Sequence, residues 1–130
     1  MRYLGIDFGT KRVGLALSDE AGAMGFPHSI VPNDSRLLDE LTALIEREKV
    51  GGIVMGESRN SNGDDNAVMK PARELAKDLE AATGLPVHFE FEAFTTQEAS
   101  RDFEGERRTG KFLVDASAAA IILTSYLSHN

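Results

Sequence analysis

The 130-residue chain is expected to be an α/β protein of three αβα layers around a five-stranded mixed sheet. Three observations predict this. Short segments with period-two alternation fill the first 31 residues, and helical stripes then alternate with short apolar runs. Turn-forming residues separate the early segments closely enough for an antiparallel meander, whereas each later strand is reached only across a helix and must lie parallel to its neighbour. No repeat of 20 to 50 residues and no linker-like stretch interrupts the pattern, so residues 1–130 are expected to form a single domain.

From Tyr3 to Phe8, Leu4, Ile6 and Phe8 alternate with Tyr3, Gly5 and Asp7, which places Asp7 on the small-residue face of a first strand. After Gly9 and Thr10 a second strand carries Val13, Leu15 and Leu17 on one side and Gly14, Ala16 and Ser18 on the other, so the pair forms a hairpin. Asp19–Gly22 reads as a turn into a third strand, Phe26–Val31, whose Pro27 calls for an edge position or a bulge. Asn33, Asp34 and Ser35 offer N-caps to a helix with the stripe Leu37, Leu38, Leu41, Leu44 and Ile45.

Gly52–Gly56 is a short apolar run typical of a strand covered on both faces, followed by a polar loop through Asn62 and Gly63. A second helix is expected from Asp64 or Asp65, with Val68, Ala72, Leu75, Ala76 and Leu79 inward and its end before Gly84 and Pro86. Val87, Phe89 and Phe91 mark a fifth strand, and Thr95 with Glu98 has capping-box spacing for a short helix over Thr96–Phe103. A charged loop, GERRTGK, then leads to a last helix that starts beside Asp115 and turns Ala119, Ile122 and Tyr126 inward. The order βββαβαβαα is shared by ribonuclease H-like and actin-like folds, and fold alone does not decide function.

Composition narrows the chemistry. With no cysteine, a metal must be held by oxygen or imidazole, and disulfides and thiolate nucleophiles are excluded. A net charge of −7 runs against broad nucleic-acid binding but suits a local carboxylate site for divalent cations. No segment reaches the length of a membrane span, and the chain passes from Met1 directly into a patterned strand without a signal core, so a cytoplasmic location is expected.

Three places hold residues with chemical potential. In DFGTKRVG, Asp7 leaves a strand into a glycine-rich turn, where a ligand can approach the backbone and Lys11 and Arg12 can meet a phosphate. The same stretch also suits a plain hairpin connection with Asp7 bonding local amides. It is not a nucleotide P-loop, because Leu15 and Ala16 follow Gly14 where Lys and Ser or Thr belong. In EFEAFTT, parity sets His88, Glu90 and Glu92 opposite Val87, Phe89 and Phe91, and a solvated strand face is the simpler reading. Asp115 precedes an alanine-rich helix, where an aspartate is by default an N-cap.

Taken together, DFGTKRVGLAL, the strand and loop IVMGESRNSNGDDN, FEAFTTQEAS and GKFLVDASAAAIILTSYL resemble the YqgF/RuvX family, in that order and over essentially the whole chain. That family is similar in fold to RuvC-type Holliday-junction resolvases and is implicated in maturing the 5′ end of the small-subunit ribosomal RNA precursor. The resemblance implies a metal-dependent endonuclease with Asp7, Glu92 and Asp115 as catalytic, metal-holding carboxylates and Mg2+ or Mn2+ as cofactor. It implies Lys11 and Arg12 as phosphate contacts, with Arg107, Arg108 and Lys111 as a second, flexible clamp. Expected partners are precursor ribosomal RNA or branched DNA, and the chain would act as a monomer or homodimer.

The chain departs from the family where DERLTT is usual: Phe91, Ala93 and Phe94 replace the aspartate, arginine and leucine, leaving Glu92 and the two threonines. Ser58 stands where a proline is usual, and Glu90 rivals Glu92 as the third acid. The alternative reading is a catalytically weak nucleic-acid or ribosome-assembly binding module on the same fold. An actin-like phosphotransferase, suggested by DFGT, would need a second lobe for which this length leaves no room.

Overall fold

The computed structural model describes residues 1–57, 69–91 and 107–128, with 107–117 described by their backbone. Strands β1 (Arg2–Phe8), β2 (Arg12–Ser18) and β3 (Gly25–Pro32) form the expected meander. Helix α1 (Leu37–Arg47), β4 (Val50–Glu57), α2 (Met69–Thr83), β5 (Val87–Phe91) and α3 (Arg107–Ser128) follow. The sheet order is β3-β2-β1-β4-β5, with β1 antiparallel to β2 and parallel to β4, and β4 parallel to β5. Pro27 sits on the edge strand beside a register shift at Leu15/Ala16, so both devices expected of a strand proline are used.

The two faces are covered differently. Leu4, Ile6, Val13 and Leu15 meet Leu37, Leu41, Leu44 and Ile45 of α1 and Ala72, Leu75, Ala76 and Leu79 of α2 in one core. On the other face Ala16 and Val54 pack against Ala119, Ala120, Ile122 and Leu123 of α3. That second face is floored by small residues, and the helix comes down close upon it. A Cβ built on Gly5 would lie 2.9 Å from the Ala119 carbonyl oxygen and 2.9 Å from Leu123 Cβ. Gly25 makes the same close approach, and its N–H donates to Thr124 Oγ1 at 2.9 Å.

Helix starts and ends differ in detail from expectation. The N-cap of α1 is Arg36, which makes no side-chain cap bond; Asp34 instead accepts the Arg36 N–H at 2.9 Å through Oδ1. A missing cap costs about 1 kcal/mol, whereas each buried leucine contributes about 2 kcal/mol, so four buried side chains decide the helix. At the end of α2, Gly84 has φ +72°, and its N–H donates to the Glu80 carbonyl at 2.9 Å, the left-handed stop expected there.

The last helix requires two corrections. Asp115 lies inside α3, not at its N-cap, and Arg107, Arg108 and Lys111 are helical, not in a charged loop. The physical reason is helix propagation. Once a long alanine-rich segment is seated on the sheet, adding residues such as Arg, Lys and Leu is favourable, and Gly110 opposes this by only about 1 kcal/mol. The expected helix over Thr96–Phe103, the start at Asp64 or Asp65 and the loop through Asn62 lie outside the described residues.

Candidate metal and phosphate site

The register of the sheet builds the site. On the face covered by α3, Asp7 pairs with Gly14 of β2. On its other side, one step beyond the Ile6–Met55 pair, stands Gly56, which in turn pairs with Glu90. Asp7 thus stands between two residues without side chains, which leaves room around its carboxylate that a Cβ on either neighbour would narrow. The room is visible as a depression of about 220 Å³ lined by Asp7, Gly9, Thr10, Lys11, Arg12 and Gly14.

The turn between β1 and β2 is tight and tied from outside. A Cβ on Gly9 would lie 2.5 Å from the Arg12 carbonyl oxygen, so this position requires glycine by close approach. Asn33, just after β3, donates from Nδ2 to the Gly9 carbonyl at 2.8 Å and from its backbone N–H to the Lys11 carbonyl at 2.9 Å. Thr10, Lys11 and Arg12 are exposed along the rim. Cations at the rim and a carboxylate on the floor suit a phosphate above and a hard cation below.

Glu90 and His88 do not form the solvated strand face that is the simpler reading of EFEAFTT. Both are half-buried under α3. Glu90 Oε2 accepts a hydrogen bond from Ser125 Oγ at 2.6 Å, and the His88 ring stacks on Tyr126 at 5.2 Å between centroids. Tyr126 also meets Tyr3 at 6.0 Å. Burial, with smaller contributions from Tyr3 and Glu90, raises the Tyr126 phenol above its ordinary pKa. These contacts join the C-terminal end of α3 to β1 and β5.

The structure therefore brings Asp7, Lys11 and Arg12 together around one depression. Glu92 lies outside the described residues, and Asp115, Arg107, Arg108 and Lys111 are placed by backbone on α3. Among the described residues, no three His, Cys, Asp or Glu side chains gather as a ready metal cluster. Sequence reading missed Asn33, taken as a capping residue. Its contact spans 24 positions, and no local spacing signals it.

Comparison with known proteins identifies a family and a fold. A family model described as "RuvX: Holliday junction resolvase" matches residues 1–129. A Maridesulfovibrio salexigens protein, named as a candidate pre-16S rRNA nuclease, is 37% identical, with 98% of each chain covered. A Moorella thermoacetica protein of the same name is 39% identical, covering 98% of this chain and 94% of its own. Among solved structures, Thermus thermophilus RuvC in complex with a Holliday junction superposes with a TM-score of 0.62 at 17% identity, covering 99% of this chain and 95% of that one. The fowlpox virus Holliday junction resolvase does so with a TM-score of 0.56 at 13% identity and 99% coverage of both chains. At these identities the two structures bear on the fold, which is the expected ribonuclease H-like αβα arrangement.

Proposed function

The chain belongs to the RuvX family, and from that premise we propose that it is a divalent-metal-dependent endonuclease that hydrolyses phosphodiester bonds, in the 5′-end maturation of precursor 16S rRNA. The observation that supports this reading is the seating of α3 on Gly5, two residues before Asp7 in β1. Ala119 of α3 sits on Gly5, and Tyr126 lies by Tyr3, so the helix runs antiparallel to β1 with its earlier residues toward Asp7. From Gly5 to Asp7 is two strand residues, about 6.7 Å. From Ala119 back to Asp115 is four helical residues, about 6 Å. Asp115 is thereby expected at the level of Asp7 on the same face.

Glu92 supplies the third carboxylate in this reading, two residues beyond Glu90 and by parity on the same face. Glu90 itself stands in the Asp7 row, and its bond from Ser125 supports a role in holding α3 on β5. Helical spacing sets Arg107, Lys111, Asp115 and Ala119 on one stripe, so the second group of cations would ride on a helix and not on a flexible loop.

The residues fit Mg2+ or Mn2+: Asp7 offers hard oxygen donors in a depression with space beside it, and no thiolate competes in the chain. Such an ion, held by Asp7, Glu92 and Asp115, would polarise the phosphate and acidify a water. Lys11 and Arg12 at the rim hold the phosphate oxygens and offset its charge against the carboxylates below.

The test is cleavage of a precursor 16S rRNA 5′ fragment and of a four-way DNA junction in Mg2+ or Mn2+ and in EDTA. Metal-dependent cutting that disappears in Asp115→Asn is the expected result. Binding that persists in EDTA, with no cutting under any condition, would instead support a binding module.

A further inference from the structure

Resting on that reading, we infer that Asn33 is a positioning residue: it fixes the Gly9–Arg12 turn so that Lys11 faces the substrate phosphate. Two observations meet here. The turn joins β1, which carries the Asp7 carboxylate, to Lys11 and Arg12 at the rim of the 220 Å³ depression. The turn is also held by a residue from a different element, since Asn33 grips the carbonyls of Gly9 and Lys11 at 2.8 and 2.9 Å.

The side-chain bond is the decisive one. The N–H of Asn33 reaches Lys11 whatever the side chain, but only Nδ2 holds Gly9. Gly9 precedes the exposed Thr10 and Lys11, and a glycine is the residue most ready to swing when released. Holding its carbonyl removes that freedom before substrate arrives, so Lys11 need not be ordered during binding.

The experiment uses the full chain with Asn33→Ala and Asn33→Asp, the latter presenting no hydrogen to Gly9. Backbone 15N order parameters at Gly9–Lys11 in the free protein are expected to fall from about 0.85 toward about 0.6 in both variants. Affinity for a labelled four-way DNA junction or an RNA duplex, measured in Ca2+ to suppress turnover, is expected to weaken about fivefold. Because Asn33 acts through Lys11, Asn33→Ala should weaken Lys11→Ala no further.

A turn that stays rigid in Asn33→Ala, wild-type binding by Asn33→Asp, or losses that add to Lys11→Ala would each overturn the assignment while leaving the nuclease reading intact. Failure of the unsubstituted protein to bind either probe would overturn the nucleic-acid reading and the role of Lys11 with it.

Discussion

The two turns of the β1–β2–β3 meander each have an aspartate close by, Asp19 within its turn and Asp7 near the end of β1, and the two stand in different settings. At the β2–β3 end, Asp19 bends back on its own loop: Oδ1 accepts the N–H groups of Ala23 at 2.8 Å and Met24 at 3.1 Å. Those donors, Met24 first and then Ala23, hold its carboxyl below the ordinary value of 3.8. Ser18 completes the turn by accepting the Tyr3 N–H and donating to the Asp19 carbonyl, both at 2.8 Å. At the β1–β2 end, Asp7 lines a depression between two glycine neighbours, and the backbone of its turn is secured by Asn33. Local amides turn one aspartate into structure. An external tie from Asn33 fixes the turn that follows the other.

This contrast can be broken by substitution, and the largest effect should come at Asp7. Asp7→Asn is expected to lower cleavage at least a hundredfold while the protein still unfolds cooperatively, as read by a metal-dependent cleavage assay beside urea unfolding. Next comes Gly9→Ala. Its Cβ would meet the Arg12 carbonyl oxygen at 2.5 Å, so the turn must open, with about a tenfold loss of cleavage and roughly 1–2 kcal/mol of stability. Retention of wild-type cleavage would show that the turn geometry is not part of the site.

At the opposite turn the pattern should invert. Gly22 has φ +71°, so Gly22→Ala is expected to lower stability by about 1 kcal/mol and leave cleavage unchanged. The smallest effect belongs to Asp19 and appears only in acid. Because its folded-state pKa is depressed, its contribution is present above the ordinary carboxylate value of 3.8 and is lost as pH falls through the lower folded value. Melting temperatures of the parent and of Asp19→Asn should therefore stay separated above about pH 5 and draw together as pH falls below 3.8. A constant separation across that range would remove the carboxylate from the account.

Much of this was readable in advance, for reasons specific to each element. The alternation of Leu4, Ile6 and Phe8 with Tyr3, Gly5 and Asp7 reports two differently covered faces, and the structure separates those sets as the pattern requires. Pro27 announces the edge strand because a missing N–H is tolerated there. Asn33 was misread because a polar residue before a helical stripe has the local look of a cap, and its partners lie in a turn far back along the chain. The start of α3 was misplaced because Gly110 and a run of charges imitate a loop, while the burial that drives the helix lies further along. The family pattern points to Asp7, Glu92 and Asp115, and spacing alone leaves each with a commonplace alternative.

The seating of α3 on Gly5 has a consequence for how the sequence can vary in length. Strand and helix advance by different steps, about 3.3 Å and 1.5 Å per residue, and the contact at Ala119 is one of those that hold them in phase. Inserting a single residue between Asp115 and Ala119 would turn Asp115 through about 100° around the helix axis. Point replacements in this span alter chemistry one atom group at a time. A change of length would throw the whole helical stripe out of phase with the strand beneath it, and lengthening is therefore expected to be accepted only in turns on the far side of that contact.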